Sequence, residues 1–308
     1  MTIGITGGTG LVGTHVARLL TEKGHSVVLL TRHPRGKKPG NNIRYALFDA
    51  EAGKCDTATL SALDAVIHLA GEPIAAHRWT PAQKQKIVDS RVHGTRFLVA
   101  MLRQYSAHCQ TFIGASAIGI YGPDRLTAKP FTEDMPPATD FLGDTCMKWE
   151  AEQQKIAPIM RLVTLRTGIV LAREGGALPQ FLRTAPFRLL PIPGSGKQII
   201  SWIHMTDLAR LIIYALEQPG MSGPYNAVAP APIPAKELMT AIAKEKGGFY
   251  LKPHVPAFVL HAVLGEMAVE VLKSATVSAE RTTATGFTFN YPGIRAALHH
   301  LLAPISSP

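Results

Sequence analysis

Thr2-Ile3-Gly4-Ile5-Thr6-Gly7-Gly8-Thr9-Gly10-Leu11-Val12-Gly13 opens the chain, and no other stretch constrains the fold as tightly. A short apolar run leads straight onto glycines at positions 7, 10 and 13. An amphipathic segment follows to about Lys23, with Leu11, Val12, Val16, Leu19 and Leu20 near helical spacing. The pattern is that of a strand, a tight turn and a helix start. Gly7 permits the turn, Gly10 lets a ligand approach the backbone, and Gly13 lets the helix pack close to the sheet. Free N–H groups at the helix start then favour an anionic pyrophosphate. A dinucleotide is therefore expected on Gly7, Thr9, Gly10, Leu11, Val12 and Gly13.

Working outward, His25 to Thr31 reads as a buried parallel strand. Its end is informative. An acidic residue there would hold the ribose hydroxyls of NAD, but the chain continues Thr31-Arg32-His33-Pro34-Arg35 with no carboxylate in reach. Thr31, Arg32 and Arg35 suit a 2′-phosphate by charge and by the forked donors of arginine, so NADP (NADPH) is the expected cofactor. Further strands are expected at Ile43 to Phe48, Ala65 to Gly71, Thr111 to Ser116 and Leu162 to Arg166. Leu69, Ala70, Gly71 and Glu72, at the end of the fourth strand, Ala65 to Gly71, form a small-residue turn that a cofactor can approach. Thr80-Pro81 signals a helix start, with threonine as cap and proline in the first turn, and this helix runs to Leu102. Asp144 to Ile156 reads as another. Strands alternating with helices mean right-handed βαβ units, hence an α/β fold with a Rossmann-type doubly wound parallel sheet.

The later half has a different texture, punctuated by Gly175-Gly176, Pro191 to Gly196 and Pro230 to Pro234. Helices are expected at Met205 to Glu217, capped by Thr206 or Asp207, at Ala235 to Lys246, over Ala257 to Leu272 and from Gly293 to Leu302. The expected division is a nucleotide-binding domain over residues 1–170, with later segments crossing back, and a smaller C-terminal α+β cap over 171–308 that includes a segment of about 252–302.

At 308 residues, with 46% apolar and 18% charged side chains, the chain is an ordinary globular protein. The formal charge of +10 is spread rather than clustered. Arg32 to Lys38 is its densest patch and lacks the interleaved aromatics of a nucleic-acid platform. Cys55, Cys109 and Cys146 are odd in number and far apart, which suits free thiols in a reducing compartment rather than a disulfide frame or a metal site. The apolar stretch from Ala257 is broken by His261, Gly265, Glu266 and Glu270, so it does not span a bilayer comfortably. The expectation is a cytoplasmic protein acting on a small-molecule substrate, with no nucleic acid and no membrane partner. Monomer and homodimer both stay open.

Function is expected outside the carboxyl ends of the parallel strands, at Gly71 to Trp79, Ser116 to Tyr121, Arg166 to Leu171 and Trp202 to His204. There the residues carry a resemblance. The opening glycine turn resembles that of the extended short-chain dehydrogenase/reductase superfamily, the NAD-dependent epimerases and dehydratases. Leu69-Ala70-Gly71-Glu72-Pro73-Ile74, Arg78-Trp79-Thr80, Ser90-Arg91, Ser116-Ala117, Tyr121-Gly122, Trp149-Glu150, Arg166-Thr167-Gly168, Gly175-Gly176 and Trp202-Ile203-His204 resemble its atypical YfcH-like epimerase-family branch. The late segment resembles that branch's small C-terminal domain.

The resemblance implies a nicotinamide cofactor and a catalytic serine, tyrosine and lysine. Ser116 matches the serine. Aligned on Glu150, the tyrosine falls on Leu142 and the lysine on Cys146, and no tyrosine in the chain is followed four residues later by lysine. The asparagine of the preceding helix corresponds to Arg91, which joins the expected cofactor contacts. A tyrosine without a neighbouring cation ionises near pH ~10 and is a poor base at neutral pH. Tyr121 is a candidate proton donor, although the equivalent tyrosine of the superfamily is usually structural. Cys146 could serve as an acid only with a shifted pKa. His77 and His204 are candidates by proximity, and Glu72, Arg78 and Arg166 could bind an anionic substrate or pair among themselves. Three readings remain: an NADP-dependent oxidoreductase on a small substrate, a nucleotide-sugar epimerase or dehydratase, and a non-catalytic module that senses NADPH.

Overall fold

The computed structural model describes residues 1–36, 40–124 and 129–303. Lys37 and Lys38, the end of the basic patch, lie outside the described residues. In chain order the elements begin β1 (Thr2–Thr6), α1 (Leu11–Glu22), β2 (Ser26–Thr31), β3 (Ile43–Asp49), β4 (Lys54–Cys55), α2 (Thr57–Ser61), β5 (Ala65–His68), α3 (Pro81–Tyr105), β6 (Thr111–Ala117), α4 (Phe141–Gln154) and β7 (Arg161–Thr167). They continue through β8 (Ile169–Leu171), α5 (Leu178–Leu182), β9 (Ile192–Pro193), β10 (Ile199–Ile200), β11 (Trp202–His204), α6 (Met205–Glu217) and β12 (Gly223–Ala227). The chain closes with β13 (Ile233–Pro234), α7 (Ala235–Lys246), β14 (His254–Val255), α8 (Ala257–Leu264), α9 (Ala268–Leu272), α10 (Glu280–Ala284) and α11 (Ile294–Leu302).

Two compact units result. The first holds residues Met1–Ile120, Pro137–Arg166 and Leu208–Tyr225, and the second holds Tyr121–Pro136, Thr167–Asp207 and Asn226–Pro308. The first is built on an eight-stranded sheet of order β12-β7-β6-β5-β1-β2-β3-β4. The pairs β1–β2, β2–β3, β1–β5 and β5–β6 are parallel, and β3–β4 is antiparallel. Successive strands run outward from β1 to β3 and then resume on its other side at β5. The order therefore reverses between β1 and β5, which is where a doubly wound sheet leaves a crevice. Parallel strands covered on both faces read as continuous apolar runs, and Ile3, Ile5, Val27, Val28, Val66, Ile67, Phe112 and Ile113 are all fully buried.

Several helix ends follow their signals. Thr80 accepts from the Gln83 N–H and Pro81 stands at the first position of α3. Others correct the expectation. α4 starts at Phe141 rather than Asp144, because Asp140 caps it by accepting from the Gly143 N–H at 2.8 Å. α6 is not capped by Thr206 or Asp207, both of which lie in its first turn: His204 Nδ1 accepts from the Thr206 N–H, and the Asp207 carboxylate takes the N–H groups of Asn290 and Tyr291. The apolar stretch from Ala257 is not one helix, since Gly265 takes φ +64° and ends α8 before a 3₁₀ turn leads into α9. Arg161, at the start of β7, fans its guanidinium over the carbonyls of Ala215, Leu216 and Met221 and so finishes the last turn of α6.

The second unit has its own core, in which Trp202, Leu178, Leu190, Leu238, Ile242 and Leu298 are buried. Its strands are short pairs: β8 with β11 in parallel, β9 with β14 in parallel, and β10 with β13 antiparallel. Short strands beside helices make this the small α+β part of the fold. No helix among the described residues is long and apolar enough to cross a membrane.

Candidate functional site

The glycine turn sits at the point where the strand order reverses. Gly7 takes φ +67°, and a Cβ there would stand 2.7 Å from the Leu69 carbonyl carbon. Only glycine fits both requirements. Gly13 serves a different neighbour from the one expected: its missing Cβ faces not the sheet but the turn, 2.4 Å from the Gly7 oxygen. The turn is closed by the Gly10 N–H donating to Gly7 O at 3.0 Å. Gly10 is the helix cap and offers no side chain, so no capping acceptor reaches the first N–H groups of α1, those of Leu11, Val12 and Gly13. A concave glycine cradle with unclaimed donors fits a diphosphate. Thr9 and Gly10 are exposed beside it.

Beyond β2, Thr31 is half-buried, and Arg32 and Arg35 are exposed. On the other flank, Leu69 and Ala70 press against Gly7, and Gly71 packs on the Arg91 guanidinium, whose Cζ would stand 3.2 Å from a Cβ at that position. Beneath the turn lies a polar chain that no local motif announces. His68, fully buried at the end of β5, bonds Thr6 Oγ1 through Nδ1 at 2.6 Å and Thr95 Oγ1 through Nε2 at 2.8 Å. Burial holds its pKa down to about 4, so the ring is neutral at pH 7 and ties β1, β5 and α3 together without charge.

Ser116 stands at the end of β6 and is 4% exposed. Its hydroxyl donates to Glu150 Oε1 at 2.6 Å. Arg166 grips the same carboxylate in a fork, Nε to Oε1 at 2.9 Å and Nη2 to Oε2 at 2.8 Å. Every one of these contacts to Glu150 comes from a donor, which requires the ionised, acceptor-only carboxylate and points the serine hydrogen at it. Arg166 is thereby paired with Glu150 rather than with Glu72. Glu72 instead accepts from Gln83 Nε2, and its N–H donates to Ser90 Oγ. His77 and Arg78 are exposed on the loop before α3, which Trp79 anchors by donating to Ile74 O and packing edge-on against Phe141.

Leu142 and Cys146 are both buried on α4. Burial, reinforced by the Glu150 charge, pushes the Cys146 thiol up to about 12 against the opposing pull of Arg91 and Arg166. It is a neutral thiol and no base at physiological pH.

The remaining candidates belong to the second unit. Tyr121 is buried, stacks on Phe131 at 5.1 Å and donates its hydroxyl to Asn226 Oδ1 at 2.6 Å. Asn226 is the centre of a polar knot that sequence reasoning missed: its N–H reaches Glu133, its amide reaches Ser278 O, and its carbonyl accepts from Thr282. His204 is 1% exposed and stacks on Tyr291. Because its Nδ1 accepts a backbone N–H, its proton is assigned to Nε2, which then donates to His300 Nδ1 at 3.2 Å. Among the described residues no group of three or more His, Cys, Asp or Glu side chains could hold a metal ion.

Comparison with known proteins gives the family and the fold. The NAD dependent epimerase/dehydratase family matches residues 3–228, and a domain of unknown function, DUF1731, matches residues 255–301. The chain is 38% identical over 308 residues to epimerase family protein YfhF of Bacillus subtilis, covering 98% of each. It is 36% identical over 310 residues to mouse epimerase family protein SDR39U1, covering 98% of this chain and all of the relative. The crystal structure of human SDR39U1 isoform 2 with NADPH superposes with a TM-score of 0.85 at 31% identity, covering 98% and 99% of the two chains. A UDP-N-acetylglucosamine 4-epimerase from Bacillus cereus shares the fold at 19% identity and a TM-score of 0.75. The family and the small C-terminal domain expected from the motifs are those found.

Proposed function

The chain belongs to the NAD dependent epimerase/dehydratase family, and from that premise we propose that it is an NADPH-binding atypical short-chain dehydrogenase/reductase that reduces a small carbonyl substrate. The observation that carries the reading is the glycine cradle at the strand reversal, with unclaimed donors at its helix and arginines in place of a carboxylate beyond β2. The N–H groups of Leu11, Val12 and Gly13 would hold the diphosphate, and Arg32, with Arg35 beside it, the 2′-phosphate. The human relative crystallised with NADPH supports the same choice of cofactor. When bound, NADPH supplies a hydride. Ser116 is the group placed to hold the reacting oxygen at the end of β6: with its hydrogen on Glu150 it accepts from a hydroxyl, and a turn about its Cβ–Oγ bond lets it donate to a carbonyl.

Steady NADPH oxidation with at least one member of a broad aldehyde and ketone panel, lost in Ser116→Ala, is the expected result. A silent panel despite tight NADPH binding would overturn reduction. It would favour the sensing module instead, a reading supported by the neutral Cys146 and by a Tyr121 hydroxyl already committed to Asn226.

The cofactor choice has its own test. Arg32→Ala is expected to weaken NADPH binding by roughly tenfold or more, the scale of one charged hydrogen bond, while NADH binding stays within about twofold. Fluorescence titration of both nucleotides reads this directly. Equal losses for the two would take Arg32 away from the 2′-phosphate.

A further inference from the structure

Arg91 presents donors that the protein itself does not use. Its Nη1 donates to Glu72 O at 2.9 Å and Ile87 O at 3.2 Å, which clasps the loop after β5 to α3. Nε and Nη2 have no acceptor, and the guanidinium no ion-pair partner, among the described residues. The Glu72 side chain acts on it only through space and gives its hydrogen-bond capacity to Gln83. The guanidinium lies over the ring of Trp149, 5.2 Å from Cζ to centroid. That indole is 4% exposed, and its Nε1–H is the one fully buried side-chain polar atom among the described residues with no hydrogen-bond partner. Buried donors are normally satisfied, so an unpaired indole N–H beside a cation with spare donors calls for an acceptor-rich ligand.

Position says which ligand. The missing Cβ of Gly7 faces Leu69 and Ala70, and the missing Cβ of Gly71, one residue on, faces Arg91. The pair thus stands one step of backbone from the glycine cradle, on the β5 side. Arg32 stands on the opposite, β2 side. A dinucleotide laid across the strand reversal puts its two nucleosides on these two sides. We propose that Arg91 and the Trp149 indole N–H hold the ribose hydroxyls of the nicotinamide half of NADPH. Both donors point to oxygen acceptors, and a ribose offers two, each of which also finds the guanidinium's planar fork. Gly71 is then required so that the backbone can close on the guanidinium and hold it in place.

The inference rests on the NADPH reading above, and two ligands separate the two. NADPH engages both nucleosides, whereas 2′,5′-ADP carries only the adenosine half and engages the β2 side alone. Titrating both into the full-length protein and into Arg91→Gln and Trp149→Phe variants is the test. The Phe variant keeps the ring under the guanidinium and removes only the N–H. Arg91→Gln is expected to weaken NADPH about tenfold or more and Trp149→Phe severalfold, with 2′,5′-ADP within about twofold in both. Should Arg91→Gln fail to fold, Arg91→Lys, which keeps the charge but not the fork, is expected to give a smaller loss with the same NADPH selectivity. Unchanged NADPH affinity in both variants, or equal weakening of the two ligands, overturns the assignment. If the folded wild-type protein binds neither ligand, it is the NADPH reading that fails.

Discussion

Gly13→Ala is expected to weaken NADPH binding on the order of a hundredfold while the chain still folds. The added methyl would stand 2.4 Å from the Gly7 oxygen and 2.5 Å from the Gly8 Cα, both backbone atoms of the turn that is to hold the diphosphate. Neither can swing aside as a side chain would, so α1 or the turn must move by close to an ångström. Displacements of that size cost on the order of a hundredfold where a ligand is held by fixed donors. Overpacking also costs stability, roughly 1–3 kcal/mol, partly offset by the better helix propensity of alanine. Gly94→Ala is the matched control. Gly94 also lies within a helix, α3, but a Cβ there meets nothing within 4 Å, so the change should stabilise by about 0.5–1 kcal/mol and leave NADPH binding unchanged. Titration with NADPH and a thermal melt of both variants check the pair. Wild-type affinity in Gly13→Ala would mean that the turn is not the diphosphate site.

The contrast between those two glycines shows how much the sequence carried. The turn was legible because strand, glycines and helix each leave a periodicity that local sterics dictate. Six strands of the sheet were legible in the same way, from runs such as Val27–Leu30 and Phe112–Ile113 that only burial on both faces explains. Two sheet strands were not. β4 is two residues long, and β12, Gly-Pro-Tyr-Asn-Ala, opens with turn-forming residues; its strand conformation is imposed by its place at the edge beyond β7. α4 begins three residues before Asp144 because Gly143, which resembles a loop residue, offers the N–H that Asp140 caps.

The site was legible in part, for a similar reason. Ser116, Arg166 and Glu150 were each visible as polar residues at strand and helix positions, but sequence distance gives no hint that one carboxylate serves the other two. His68 looked like a strand residue, because nothing local says that Thr6 and Thr95 stand on either side of its ring. Nothing local to His204 or Tyr121 announces their hydrogen bonds to His300 and Asn226. Motifs report what lies next along the chain, and the partners that decide whether a polar group is available lie far from it.

Glu150→Ala is expected to be the most destabilising single change in the site. It removes the acceptor of three hydrogen bonds at once, including both arms of the fork from Arg166, whose side chain is only 8% exposed. Removing one partner of a buried pair typically costs about 3–5 kcal/mol, because the remaining charge keeps its desolvation penalty and loses its compensation. Glu150→Gln keeps the shape and one acceptor oxygen and should cost less. The decisive variant is the double one, Glu150→Met with Arg166→Met, which deletes both charges and fills the space with unbranched apolar chains. If the large effect of Glu150→Ala comes from a buried Arg166 charge that has lost this fork, the double variant is expected to be more stable than Glu150→Ala, and denaturant unfolding of the three proteins measures the difference. If instead the double variant is the least stable, the ion pair contributes through its own attraction and not only by neutralising a buried cation. The same set bears on Ser116. With the carboxylate gone its hydrogen is released, so if that hydrogen bond is what orients the serine, a Glu150→Ala protein that folds should still bind NADPH normally and lose turnover on any substrate the wild type reduces, while Glu150→Gln, which keeps an acceptor, should lose less.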